Sequence, residues 1–145
     1  MGGTATTIDL ATYSKASLSD VSVSATGVSL ASATATNAGL VARYTSTSSF
    51  YLGQVVKTTS TSGTVYTAKI FRGTTLLAST IITLVNDPTF NAASFDLQFV
   101  VQGNALQLFV DGHLLASAVD STLKGPGLVG IRCLGNAVYG SFAAN

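Results

Sequence analysis

Six carboxylates, one imidazole and one thiol are the groups in this 145-residue sequence that acid–base, nucleophilic or redox chemistry could use. The carboxylates are Asp9, Asp20, Asp87, Asp96, Asp111 and Asp120; there is no Glu. Hydrolysis of a glycosidic bond normally takes two carboxyl groups flanking it, about 5–5.5 Å or 6.5–9.5 Å apart. Asp111 stands in an Asp-Gly turn, Asp96 on the solvent side of an alternating strand, and Asp120 at a strand-to-loop junction, so no two form such a pair. His113 follows the Asp111-Gly112 turn and is expected on the surface, and no Ser stands in a nucleophile-elbow pattern. Cys133 shares the parity of Val129 and Ile131 and reads as a small buried core residue. One Cys supports neither a disulfide framework nor a Cys-based zinc site. The expectation is a chain that is not an enzyme.

Binding chemistry has more to work with. Arg43, Gln54, Thr67 and Lys69 fall on the expected outward face of three adjacent strands, with Leu52 among them. Arg43 can make two parallel hydrogen bonds to a carboxylate or to adjacent hydroxyls. Gln54 adds a donor and an acceptor, and Leu52 an apolar floor for a ring. A solvated face that keeps the domain soluble is the competing reading of these residues. Of the tyrosines, Tyr44, Tyr51 and Tyr66 fall on the expected core face, whereas Tyr139, near the C-terminal turn, is free to stack on a ligand. Asn86, Asp87 and Asn91 share one loop and form a candidate structural calcium set, since hard cations want six to eight oxygens. Asx residues in loops also cap turns through their own backbone, so both readings stay open. No other cofactor is expected.

The elements that must position these residues are strands. In Phe95–Asp120, Phe95, Leu97, Phe99 and Val101 alternate with polar neighbours, the period-2 signature of a half-buried strand. Gly103-Asn104 offers a two-residue hairpin turn that sets Val101 against Leu106, Phe99 against Leu108 and Leu97 against Val110, and Asp111-Gly112 offers a second. GLVARY (39–44) and FYLGQVV (50–56) pair around a polar loop, with Thr45 opposite Phe50, Tyr44 opposite Tyr51 and Arg43 opposite Leu52. TVYTAKIF (64–71), residues 76–84, LVGIRCL (128–134) and a closing strand within 137–143 follow, separated by Gly, Pro, Asn and Asp turns. Residues 4–36 alternate weakly, in 7–10, 21–25 and 28–35, and Asn37-Ala38-Gly39 reads as a break. Nine or more short strands without a helical period predict an all-β fold, an antiparallel β-sandwich of jelly-roll type in a single domain, 1–145. Residues 1–17 are either a weakly packed arm or an edge strand.

Composition excludes several classes. Charged residues make up 9% of the chain and the net charge is +1, which leaves no basic patch for a nucleic-acid backbone. The apolar runs are strand-sized, so no membrane-inserted helix is expected. The Met-Gly start lacks the basic and apolar regions of a signal peptide and reads as the start of a domain excised from a larger protein.

GLVARY with the following Tyr-bearing strand, then LQLFVDGHLLASAVD, then GPGLVGIRCLGNAVYGSF resemble the concanavalin A-like lectin/glucanase superfamily, and within it the laminin-G-like jelly rolls of bacterial secreted proteins. The pattern is carried by Gly39 to Arg43, Leu106 to Gly112, Asp120 and Gly125 to Ile131, and spans roughly residues 18–143. The resemblance implies a non-catalytic module that binds a carbohydrate or glycoconjugate, in an extracellular or periplasmic protein. It also implies alternatives: a structural or adhesion module that binds protein or self-assembles, and a polysaccharide-degrading enzyme. Glucanases of the family use paired Glu residues, which this sequence lacks, as it lacks Trp for stacking on sugars. Oligomeric state is not legible.

Overall fold

The computed structural model describes residues 2–3, 8–9, 19–134 and 137–144, with no helix among them. In chain order the strands are β1 Gly2–Gly3, β2 Ile8–Asp9, β3 Val21–Val28, β4 Asn37–Ser46, β5 Ser49–Ser60, β6 Gly63–Arg72 and β7 Thr75–Ile81. They continue with β8 Phe95–Gln102, β9 Ala105–Val110, β10 His113–Val119, β11 Leu128–Leu134, β12 Ala137–Val138 and β13 Ser141–Ala144. A five-stranded sheet, β10-β9-β8-β3-β13, faces a six-stranded sheet, β2-β11-β4-β5-β6-β7, and β1 pairs with β12 alone. Neighbours within each sheet run antiparallel.

Alternation builds the core. Val23, Phe99 and Leu108 from one sheet meet Leu40, Tyr51, Val55 and Ile70 from the other, all with no exposed surface. Removing each such side chain from water stabilises the fold by about 1.5–3 kcal/mol. The β8–β9 hairpin has the register its turn dictates, with Val101 opposite Leu106, Phe99 opposite Leu108 and Leu97 opposite Val110. In the β9–β10 turn Asp111 and Gly112 both take positive φ, 52° and 81°, as a two-residue turn matched to strand twist requires.

Three segments differ from the sequence expectation. Asn37-Ala38-Gly39 opens β4 and is not a break. Past Ser29, which bridges Val138, residues 30–36 form a loop: Leu30 N–H donates to the Ala92 carbonyl, and the Lys57 ammonium donates to the Leu30 and Ser32 carbonyls, so tertiary partners replace a ladder. The strand expected over 76–84 stops at Ile81, where Asn86 folds back, its Oδ1 accepting from Thr83 N–H and its amide donating to the Ile81 carbonyl.

The fourth difference matters most for the site. At the β4–β5 turn Ser46 faces Ser49, in line with the expected loop, but beyond it Ala42 faces Tyr51 and Val41 faces Leu52, a shift of two. The shift is absorbed by a bulge in which Arg43 adopts φ 50°, a left-handed conformation uncommon for a residue with a Cβ. Gly127 makes room for it: a Cβ there would lie 2.4 Å from the Arg43 carbonyl carbon.

Candidate functional site

Across the outer face of the six-stranded sheet, register sets Arg132 beside Gly39, Gly39 beside Gln54, Gln54 beside Lys69 and Lys69 beside Ser79. Directly paired residues share a face, so this is one polar row over β11, β4, β5, β6 and β7. The row next to it is apolar: Val41, Leu52, Phe71 and Leu76. Val41, Leu52 and Phe50 form a small buried cluster of their own, joined by Tyr44 and Phe71.

Gly39 leaves a gap in the polar row, and neighbours close over it. A Cβ at Gly39 would lie 2.6 Å from Gln54 Cβ and 2.8 Å from Leu52 Cδ1. Three polar side chains surround the gap: Asn37 two residues back along β4, with Gln54 and Arg132 on either side. Asn37 Oδ1, Gln54 Oε1 and Arg132 Nε are each buried without a hydrogen-bond partner. Behind the sheet Tyr139 fixes this arrangement. Its hydroxyl accepts from Gly39 N–H at 2.9 Å and donates to the Arg132 carbonyl at 2.6 Å, tying β4 to β11 at the gap. Gln54 and Arg132, with Phe71, Gly73 and Thr74, line a cleft of about 190 Å³. Gly73 and Thr74 also border a neighbouring cleft of about 290 Å³ lined by Ser48, Thr75, Thr122 and Arg72, so the two form one groove over the β6–β7 turn.

Such a surface can bind a polyhydroxylated ring. In the cleft the Gln54 amide can donate and accept hydrogen bonds, Arg132 can donate them, and Phe71 gives a flat apolar contact.

The residues expected to form a site do not stay together. Leu52, Gln54, Thr67 and Lys69 share the outer face as expected, but that face is only partly solvated: Leu52 and Gln54 are buried, Thr67 and Lys69 half-buried. The added apolar residues, Val41, Phe50 and Phe71, cover what was expected to be open.

Arg43 is not on this face. The bulge turns its side chain, 2% exposed, into one end of the sandwich. There Nε donates to the Ser19 carbonyl at 2.6 Å, Nη1 to the Leu123 carbonyl at 2.7 Å and Nη2 to Asp20 at 3.4 Å, with the guanidinium 5.9 Å above the Tyr51 ring. Tyr44, expected in the core, is displaced by the same bulge onto the outer face, where it stacks on Phe50. Tyr139, expected to be free for a ligand, is buried at 6% exposure. Tyr51 and Tyr66 do pack on the core. Sequence reasoning missed Asn37, Phe71 and Arg132. The alternation of Asn37, Gly39 and Val41 against Ala38, Leu40 and Ala42 carried the signal for the first, and the single Arg in LVGIRCL for the last.

Next to Arg43 lies a hydrogen-bonded network centred on Asp120. Asp120 Oδ1 accepts from the Tyr51 hydroxyl at 2.6 Å and from Thr122 N–H at 2.9 Å, and its Oδ2 pairs with Arg72. Burial works against the Asp120 charge, but the hydrogen bonds from Tyr51, Thr122 and Arg72 outweigh it and hold the carboxyl below its ordinary range. Burial, then the contact with Asp120, pushes the Tyr51 hydroxyl up.

In the loop 82–94, Asn86 Oδ1 accepts from Thr83 N–H, Asn91 Oδ1 from Ala93 N–H, and Asp87 Oδ1 from the Thr89 amide and hydroxyl. Of these side-chain oxygens only Asp87 Oδ2 is left without a partner, so a calcium ion held by all three residues would have to displace turn bonds. Asp87 lies instead against Asp111, whose Oδ2 is also buried and unpaired, and 3.9 Å from the half-exposed His113. Burial and the neighbouring Asp87 push the Asp111 carboxyl up to about 6. The side chain of Cys133 lies outside the described residues.

No protein-family model and no curated protein matches the sequence. Solved structures do match in fold. The carbohydrate binding module CBM66 from Bacillus subtilis superposes with a TM-score of 0.68 at 16% identity, over 87% of this chain and 74% of that one. CG-16, a homodimeric agglutinin from chicken liver, gives 0.59 at 10% identity over 90% and 96%. The Caenorhabditis elegans galectin LEC-6 gives 0.56 at 14% over 87% and 82%. The chain thus has a galectin-like jelly-roll fold; laminin-G likeness as such is not among these matches.

Proposed function

We propose that this chain is a non-catalytic glycan-binding module of an extracellular or periplasmic protein, and that the sugar sits on the outer face of the six-stranded sheet over Gly39. The observation that carries this is that Gln54 and Arg132, each with a buried polar atom left without a partner, flank the side-chain-free Gly39 and line one cleft with Phe71. A buried polar atom without a partner costs about 1–3 kcal/mol, and a ligand's hydroxyls are suited to pair with these. Structural neighbours described as a carbohydrate-binding module, an agglutinin and a galectin support the ligand class. The lack of Glu supports the non-catalytic reading.

A glycan array followed by calorimetry on the best hit tests it. The wild-type chain should bind at least one glycan, and Gln54→Ala and Arg132→Ala should each weaken that binding about tenfold with the fold intact. Binding that survives both substitutions unchanged places the sugar elsewhere.

A second reading rests on a different observation. The edge strands β7 and β10 lie along the same side of the sandwich. These two strands leave Leu76, Ile81, Leu114 and Val119 about half or more exposed, with no Lys, Arg, Asp or Glu in either strand to guard the edge. Protein binding or self-association at this edge predicts a concentration-dependent mass in light scattering; a constant monomer argues against self-association.

A further inference from the structure

A cleft of about 440 Å³ opens at the end of the sandwich where Arg43 is buried, away from the polar row over Gly39. Ser19, Asp20, Asn104, Ser121 and Lys124 form its rim, all exposed, with Arg43 in its wall. We infer that this cleft binds a carboxylate-bearing sugar, a uronic-acid type of residue, with the carboxylate on Arg43 and Lys124 and the ring hydroxyls on the rim.

Three observations lead there. First, Arg43 is a charged side chain with 2% exposure whose one counter-ion among the described residues is Asp20, 66% exposed and 3.4 Å away; the other acceptors given by these residues are neutral carbonyls. A buried cation so weakly matched favours a second anion. Second, three of the five guanidinium N–H groups are spent, leaving one on each terminal nitrogen. A fork of parallel donors is the geometry a carboxylate accepts. Third, Arg43 holds φ 50° in a non-glycine residue, and left-handed backbone of this kind persists where the surroundings over-determine it.

The lining carries two cations and one carboxylate, a balance of +1. Asp20 Oδ1 is already engaged by Gly103 N–H at 2.8 Å and by Arg43. Its second oxygen remains to accept from a ring hydroxyl, with the Asn104 amide and the Ser19 and Ser121 hydroxyls as further partners. The anion site stands on Arg43 and Lys124 alone; the choice of a sugar over a bare carboxylate rests on the glycan-binding reading.

Amide chemical-shift titration of the full chain separates these possibilities. Galacturonate and glucuronate should move the amides of Gly103, Asn104 and Ser121, and galactose and glucose at equal concentration should not. Lys124→Ala, which changes an exposed side chain, should weaken uronate binding about tenfold. Gln54→Ala, in the other cleft, should leave it unchanged, so failure at one site is distinguishable from failure at the other. Uronates that leave these amides unmoved, or neutral hexoses that move them equally, overturn the proposal. Acetate binding as tightly as the uronates removes the sugar from it.

Discussion

Two groups of polar side chains on and beside the six-stranded sheet have opposite fates. At the hairpin end, Arg43, Tyr51, Arg72, Asp120 and Thr122 satisfy one another and nearby carbonyls, down to a hydroxyl that donates to Asp120 and accepts from Leu123 N–H at 3.1 Å. Around Gly39, on the outer face, Asn37 and Gln54 are buried and Arg132 half-buried, yet each keeps a buried atom without a partner. The residue types are similar: each group has an arginine and a side-chain oxygen acceptor. The difference lies in what the backbone offers. Near Arg43 a bulge and two loops present free carbonyls, whereas in the middle of the sheet the ladder has already consumed them. Polar groups in the first setting hold the chain together, with only an N–H on each terminal nitrogen of Arg43 to spare; in the second, whole acceptors and a donor are left over.

The most damaging way to break the contrast is to remove the centre of the paired network. Arg43→Ala strands the Ser19 and Leu123 carbonyls, frees the segment before β3 and uncovers Tyr51. The expected loss is about 3 kcal/mol of stability, a fall in Tm of roughly 9 °C, read by urea and thermal unfolding. A fall below about 2 °C means that the network is not structural.

Next in size is Gly39→Ala. The new methyl meets Gln54 Cβ, Leu52 Cδ1 and the Gly53 carbonyl at 2.6, 2.8 and 2.9 Å, so the sheet must shift or Gln54 must swing out. Overpacking of this kind costs about 1–3 kcal/mol, and here it displaces Gln54 from the centre of the proposed glycan site. Loss of binding together with lower stability is expected, seen by calorimetry and thermal unfolding of one preparation.

Gln54→Leu sharpens the comparison, because its two effects have opposite signs. It replaces an unpaired buried amide by an apolar group beside the Val41–Leu52–Phe71 row, so stability should rise by about 1 kcal/mol. Glycan binding should fall with it. A variant less stable than the parent means that the amide is paired in solution, and the contrast between the two groups then disappears.

How much of this was legible beforehand follows from what alternation can and cannot encode. The β8–β9 register was readable because the turn and two apolar sets agree, and a slip of one would have placed every one of them in water. The jelly roll followed from many such hairpins. Leu52, Gln54, Thr67 and Lys69 were placed on one face by parity alone, and parity survives a shift of two. Arg43 and Tyr44 were misplaced because a bulge is a local backbone event, and nothing in GLVARY marks a positive φ at an arginine. Tyr139 was misread because its partners, Gly39 and Arg132, are tertiary. The unpaired atoms around Gly39 could not be read at all, since they depend on three strands meeting.

The smallest effect compares two aspartates and reads the same contrast through pH. Asp120, in the paired network, has its carboxyl held below the ordinary range. The unfolded chain therefore takes up that proton more readily than the folded one. The stability it confers is present above about pH 4 and is lost as pH falls through the folded-state value. Asp111, buried against Asp87 with an unpaired oxygen, is pushed up to about 6. Here the folded chain binds the proton more tightly, so the contribution is full below about pH 4 and is lost as pH rises through about 6. Urea midpoints measured from about pH 3 to pH 7 should thus rise at the acid end and decline between about pH 4 and 6. Asp111→Asn should remove the decline, because an amide cannot lose the proton. Asp120→Asn should remove the rise and lower the plateau. If Asp111→Asn leaves the slope between about pH 4 and 6 as it was, the two carboxylates do not share a buried contact in solution, and the unpaired oxygens there are reached by water.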